Sequence, residues 1–347
     1  MNNFSLTRQD TQVMKGIAII AMLCHHLYSD PELRGIVPYD GIYAWLGALG
    51  KVCVALFLFC SGYGLSKQYE QKSIKDDIKF IVKRLLKFYA NYWVIFLIFV
   101  PISVFMFHRP LSAAYGEHVN IIKRLVLDFM GLQGYLSYNI TWWFNKLIII
   151  LYILFPLLYR IVNYKPWLAL IFSMLIVVIN PYIVYNPLDI LTYQSPFVVG
   201  MLWQQYEDKW PNVCDWLSEH MVVFASITCL FLIAVVSIRM FCLDASYRYD
   251  AFLAIAMSLT LISSVRYMNT LANVLAFLGK HSINIYMVHT FINAYWHPEW
   301  LHTSEWLRGG GNFVLLIIIC LLISIGIEFL KEKIRLYELV NIITKRI

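Results

Sequence analysis

The chain has 347 residues, of which 60% are hydrophobic and 14% charged. Soluble domains run about 45–50% apolar and about 25% charged, so this composition holds more apolar surface than one globular core can hide and excludes a soluble enzyme, a disordered chain and a disulfide scaffold. The net charge of +7 comes from cations clustered between apolar runs, which fits membrane topology rather than nucleic-acid binding.

Charge-poor runs of membrane-spanning length recur along the whole chain. They predict an all-α, polytopic transmembrane bundle of about ten spans in a single membrane domain over residues 1–347. The first, 13–29, has no small-residue cleavage site and carries two histidines, so it is expected to stay in the mature protein. The second, 42–66, holds Lys51 inside it. Seven cations then fall between Lys67 and Lys87, mixed with Glu70, Asp76 and Asp77. That density suits a topology determinant lying on anionic lipid. The third span, 88–107, is free of charge over Phe88–Phe107.

Residues Ile121–Leu136 begin with Lys123 and Arg124, hold Asp128 and alternate at helical spacing, as in an interfacial or re-entrant helix. Further spans are expected at 141–160, where Lys146 falls inside, and at 166–186, 190–206 and 220–241. The weakest is 251–265, followed by 279–296 and 312–330. No internal repeat or soluble appendage is evident. With the N-terminus inside, inner segments carry 19 cations and outer segments seven. The positive-inside rule then puts both termini in the cytoplasm. Counting Ile121–Leu136 as a span would invert everything after it. The seven cysteines form no CxxC pair and read as small buried hydrophobes.

Ionisable groups inside a membrane are costly, so each is a candidate for function. Lys15 and His26 are 11 residues apart, about three full helical turns, and project from one face about 16 Å apart along the axis. Lys15 is either a snorkelling anchor or a cation for a phosphorylated ligand at the inner mouth. His26 is either an interhelical donor or a general base towards a hydroxyl. His25 faces about 100° away and is the weaker candidate.

These residues carry a resemblance. The run Met14-Lys-Gly-Ile-Ala-Ile-Ile-Ala-Met-Leu-Cys-His-His26 resembles the opening helix of the membrane-bound acyltransferase-3 family, marked by a basic residue, ten positions and a histidine. Leu56-Phe-Leu-Phe-Cys-Ser-Gly-Tyr63 is similar to that family's aromatic Ser-Gly end of its second span. Lys83-Arg-Leu-Leu-Lys87 resembles its basic entry to the third. Trp142-Trp-Phe144 resembles its Trp-Phe start of a span, and Gly279-Lys-His-Ser-Ile-Asn-Ile-Tyr-Met-Val-His289 its Gly-Lys-x-Ser-x-x-x-Tyr-x-x-His segment. The ordered set covers nearly the whole chain. One departure is Asn91, where many members have proline. A second is that no extracytoplasmic hydrolase-like domain is fused to it, so the acceptor must be found unaided or through a partner.

The resemblance implies a bacterial inner-membrane O-acyltransferase, one that takes an acyl group, usually acetyl, from cytosolic acyl-CoA to a hydroxyl of a cell-surface or exported glycan, lipid-linked glycan or related metabolite. His26 would be the essential histidine with Lys15 its basic partner. Lys15, Arg84 and Lys87 would meet the phosphates of acetyl-CoA, a co-substrate rather than a permanently bound cofactor. Ser61-Gly62 either ends a helix or lets backbone approach this donor. Trp142 and Trp143 belong either to an interfacial aromatic belt or to a sugar-stacking surface. Tyr286 and His289 share a helix face, and either orient the acceptor and assist His26 or stitch helices together. The cluster around Trp296, His297, Trp300 and His302 matches no common zinc spacing, so no metal is expected. The rival reading is a multi-pass transporter or flippase for a sugar-linked or amino-acid substrate. No pairing of broken helices between the two halves supports it. Residue types alone leave oligomeric state and acceptor identity open.

Overall fold

The computed structural model describes residues 5–29, 39–70, 73–183, 189–207, 219–242, 247–296, 298–302 and 304–346. Arg34, Lys209, Cys214 and His297, which entered the reading of charge, thiols and metal ligands, lie outside them. Every regular element among the described residues is helical. In chain order these are α1 (Arg8–Tyr28), α2 (Gly41–Gly50), α3 (Cys53–Ser66), α4 (Ile74–Phe105), α5 (Leu111–Tyr115), α6 (Ile121–Phe129), α7 (Trp143–Tyr164) and α8 (Pro166–Ile183). They continue with α9 (Asp189–Tyr193), α10 (Ser195–Tyr206), α11 (Met221–Phe241), α12 (Asp250–Ser263), α13 (Asn269–Lys280), α14 (Ser282–Thr290), α15 (Asn312–Lys333) and α16 (Leu336–Arg346).

Six helical segments are long and apolar enough to cross a membrane: Gly41–Ser66, Ile74–Phe105, Ile140–Tyr164, Met221–Phe241, Tyr247–Tyr267 and Leu307–Lys333. Pro166–Asn180 is a shorter apolar helix. The expected spans at 13–29, 190–206 and 279–296 also fall on helices, but those helices are not among the six. At two places the helices run differently from the apolar stretches. The apolar run 88–107 is part of a longer helix, because α4 runs unbroken from Ile74 for 32 residues. Ser73 caps it by accepting from the Asp76 amide (3.2 Å), and Asp76 and Asp77 sit favourably in its first turn. The cationic stretch before residue 88 is thus largely helical. The run 279–296 is not a single helix, because Gly279 lies in the last turn of α13 and a new helix starts at Ser282.

The backbone clusters into two compact units. The first takes residues 1–22, 48–70 and 154–280. Its centre is the crossing of α3 and α10, where two glycines replace side chains by backbone contact. A Cβ on Gly62 would lie 2.0 Å from the Phe197 carbonyl oxygen, and one on Gly200 2.2 Å from that of Phe59. A second crossing, of α1 on α13, is built the same way: a Cβ on Gly16 would meet Leu275 O at 2.0 Å and one on Gly279 Gln12 O at 1.9 Å. Such close approaches suit a lipid environment, where packing rather than the hydrophobic effect joins helices. The start of α1 is a reciprocal cap. The Asp10 amide donates to Thr7 Oγ1 (3.1 Å) while the Thr7 amide donates to Asp10 Oδ2 (2.8 Å). Arg266 then clasps the same carboxylate through Nη2 (2.7 Å) and Nε (3.2 Å).

The second unit takes residues 23–47, 71–153 and 281–347. Here α14 packs on α4 and α15, with α16 against α4 and α15. The segment between α4 and α7 decides the question of an eleventh span. The helix predicted over 121–136 stops at Phe129, and nine residues extend about 13 Å, far short of a bilayer. It stops where Gly131, just past the cap at Met130, takes a left-handed conformation (φ 69°), and its last turn buries Asp128. The buried carboxylate accepts from Tyr115 OH (2.8 Å) and the Tyr138 amide (2.5 Å), while Tyr92 OH donates to its main-chain oxygen (2.6 Å). Burial pushes the Asp128 carboxyl up from its ordinary value against these donors. A neutral replacement is therefore the milder one. Asp128→Ala is expected to destabilise by about 2–4 kcal/mol, because two buried donors lose their acceptor. Asp128→Asn is expected to cost less than half of that, both read as thermal melts of detergent-solubilised protein. Equal costs for the two variants would contradict this account.

Candidate active site

Both residues of the opening motif lie on α1, where Lys15 and His26 are partly buried. His26 belongs to the second unit and meets His289 there, with ring centroids 5.0 Å apart and planes tilted by 35°. His25 touches His26 on the other side, at 4.9 Å. The adjacent histidines are held differently. His25 Nδ1 lies 2.8 Å from the Gly47 carbonyl oxygen. A carbonyl only accepts, so that nitrogen carries the proton and the ring is tied to α2.

His289 is fully buried on α14. Its Nδ1 lies 2.8 Å from Tyr286 O and 3.2 Å from Ile285 O, which fixes the proton on Nδ1 by the same argument. Nε2 is thus the acceptor of the neutral ring, and the Thr290 hydroxyl lies 3.2 Å from it. Thr290 Oγ1 in turn lies 3.1 Å from Thr141 Oγ1. Tyr286 donates to Thr141 O (2.9 Å) and to Asn145 Oδ1 (3.2 Å). It stitches α14 to the start of α7, whereas His289, on the same helix, faces the candidate base.

The two tryptophans separate. Trp142 is buried, donates Nε1 to Met287 O (3.1 Å) and packs on Tyr92, Phe96 and Phe291 at 5.1, 5.6 and 5.8 Å. Protein rings occupy its faces, so it is neither a belt residue nor a sugar platform. That corrects both expectations for this position. Trp143 is partly exposed and stacks on the exposed ring of Tyr135, with centroids 5.2 Å apart and planes within 14°.

The expected donor-binding residues fall in both units. In the second, the Arg84 guanidinium lies 5.2 Å from the centre of the Phe80 ring, and Lys87 is exposed. Asn91, where the resembled family often has proline, donates to Lys87 O (2.7 Å) and accepts from the buried ammonium of Lys331 (2.7 Å). Lys331 is further held by Asn284 Oδ1 (2.7 Å) and Glu328 (2.9 Å). The departure from proline is therefore a working joint between α4, α14 and α15. In the first unit, the charge of Lys15 reaches Cys60 on α3, next to Ser61. Ser61 donates to Phe57 O at 2.8 Å. Gly62 brings its backbone against another helix and not against a ligand, which corrects the reason given for Ser61-Gly62.

Lys51 sits between α2 and α3 and acts electrostatically on Asp250, which is buried with Arg239 at 3.1 Å. Lys67 reaches Tyr63 OH (2.8 Å) and the buried Glu207 (3.2 Å). Partial burial pulls the Lys67 ammonium down, but the hydrogen bonds and charges of Tyr63 and Glu207 outweigh it and leave the group above its ordinary value. Among the described residues no cluster of three or more His, Cys, Asp or Glu could hold a metal.

Two asparagines of this region were missed by sequence reasoning. Asn145 is buried one turn after Thr141, and its Nδ2 has no partner. Asn293 is buried one turn after His289 and donates Nδ2 to the His26 carbonyl at 3.2 Å. Helical spacing from His289 would have flagged Asn293, as the steps 286, 289 and 293 follow one helix face.

No curated protein and no solved structure matches the chain. Residues 10–330 match a family model described as an acyltransferase domain. With the ordered motifs and the six apolar helices, that match identifies the chain as a member of the acyltransferase-3 family, a multi-pass membrane acyltransferase.

Proposed function

We propose that this protein is an O-acetyltransferase that moves acetyl from acetyl-CoA to a hydroxyl of a cell-surface or exported glycan or related metabolite. His26 is the general base. It removes the acceptor proton as the oxygen attacks the thioester carbonyl; the new C–O bond forms, the C–S bond breaks, and the thiolate leaves with that proton as coenzyme A. Direct transfer needs no nucleophile on the protein. The single observation that carries this reading is the partly buried His26 ring lying 5.0 Å from the fully buried His289. Two imidazoles in contact, one with its tautomer fixed by backbone carbonyls, bring proton-accepting groups of near-neutral titration range together on two otherwise apolar helices, which suits a base acting on a hydroxyl.

Lys15, Arg84 and Lys87 are assigned to the donor's phosphates, and Ser61 to donor binding. The stacked Trp143 and Tyr135 are assigned to the sugar face of the acceptor. The chain is placed in the bacterial cytoplasmic membrane with about ten spans and both termini inside, the arrangement that puts 19 of its 28 Lys and Arg on the cytoplasmic side. Purified protein incubated with labelled acetyl-CoA tests the activity. Thioester cleavage with label appearing on a glycan supports it. Substrate uptake into proteoliposomes with no cleavage would favour transport instead.

A further inference from the structure

Asn293 has no role in the reading given above. It lies in a π-helical turn, Phe291–Tyr295, that continues α14 past His289. Such wide turns are rare and are frequent at functional sites. The side chain is fully buried, yet its two polar atoms are used unequally. Nδ2 donates to the main-chain oxygen of His26 at 3.2 Å, whereas Oδ1 has no hydrogen-bond partner. Buried polar atoms without a partner are few in native proteins, and each calls for an explanation. This one sits on the residue that grips the candidate base.

The chemistry of Oδ1 narrows what can complete it. A carboxamide oxygen only accepts, so its missing partner is a donor. The thioester carbonyl, a phosphate and a carboxylate are excluded, while a hydroxyl or an N–H fits. Because the same side chain is anchored through Nδ2 to the main-chain oxygen of His26, a hydroxyl held by Oδ1 lies in the neighbourhood of that residue.

We propose that Asn293 Oδ1 accepts a hydrogen bond from the sugar or polyol acceptor and selects the hydroxyl presented to His26. This rests on the general-base reading and deepens it. Asn293 takes no part in the proton balance: the proton passes from acceptor oxygen to His26 and on to the leaving sulfur. Water can fill the same position, and then the product is free acetate. Asn293 therefore sets the partition between transfer and hydrolysis rather than the rate of thioester cleavage.

Inverted membrane vesicles from producing cells, which carry the native acceptor, provide the assay with labelled acetyl-CoA as the probe. Label retained in the glycan fraction is divided by label released as acetate. For Asn293→Leu the ratio is expected to fall tenfold or more while total cleavage falls less than threefold. An unchanged ratio overturns the proposal, whether or not both rates drop, because a purely structural role would lower both together. If the leucine variant fails to fold, Asn293→Asp decides, since it keeps an acceptor oxygen in nearly the same volume. A ratio within threefold of the parent supports the proposal, and a tenfold fall overturns it. His26→Ala run alongside separates the two layers: retained cleavage there refutes the base itself, whereas lost cleavage with a normal Asn293→Leu ratio refutes only Asn293.

Discussion

His26→Ala is expected to lower acetyl transfer about 10³-fold, within the range lost when a positioned general base is removed, with little change in melting temperature. The side chain is partly buried, and its ring neighbours, His25 and His289, each keep other partners when it is gone. Donor binding should survive, because the cations assigned to the phosphates are Lys15, Arg84 and Lys87. The apparent KM for acetyl-CoA should therefore move less than threefold while kcat collapses. The neighbouring residue supplies the contrast. His25 gives its Nδ1 proton to Gly47 O, so His25→Ala removes a tie to α2 and should cost stability more than turnover. Steady-state kinetics with labelled acetyl-CoA and a melt of each variant read both effects. Activity within tenfold of the parent in His26→Ala, or an equal loss in His25→Ala, would contradict the assignment.

The second large effect concerns folding. A Cβ on Gly62 would stand 2.0 Å from Phe197 O, and this obstacle is backbone, not the movable end of a side chain. Gly62→Ala therefore forces α3 and α10 apart along their whole contact, and with Gly200 facing Phe59 O there is no room to slide. The cost should exceed about 3 kcal/mol, the upper end for overpacking, and the solubilised variant should lose its monodisperse peak in size-exclusion chromatography. Gly64 lies on the same helix with open space where its Cβ would be. Gly64→Ala is the matched control, expected to be tolerated because alanine is the better helix former. A well-behaved Gly62→Ala protein would refute the close crossing.

Much of the fold was legible because lipid imposes a simple rule: backbone groups must be satisfied within a helix, so apolar runs are helices. The runs expected at 88–107, 220–241 and 312–330 each fall on a long apolar helix. What failed were boundaries where polar residues continue a helix. The cationic start of α4 has Ser73, Asp76 and Asp77 to launch it, a capping signal that a search for apolar runs passes over. Residues 266–278 fell between two expected spans, yet most of them belong to α13, which packs through Gly279 against α1. Of the candidate site, the histidines stood out because imidazole inside an apolar helix is expensive. Asn145 and Asn293 did not, because an uncharged amide in such a run costs far less than a charge, and only the spacing from His289 marks Asn293.

Composition and the order of motifs are local properties of the chain, and they sufficed for the class of the molecule, a polytopic helical acyltransferase of the acyltransferase-3 family. What each motif residue touches depends on the packing of helices distant in sequence. That packing turned the glycines of the Ser-Gly and Gly-Lys motifs into points of helix–helix contact, enclosed Trp142 in protein rings, and joined Asn91 to Lys331. It also brought His289 and Asn293 to His26, more than 260 positions away in the chain. Such pairings depend on which helix faces meet, and helix periodicity fixes a face without naming its partner.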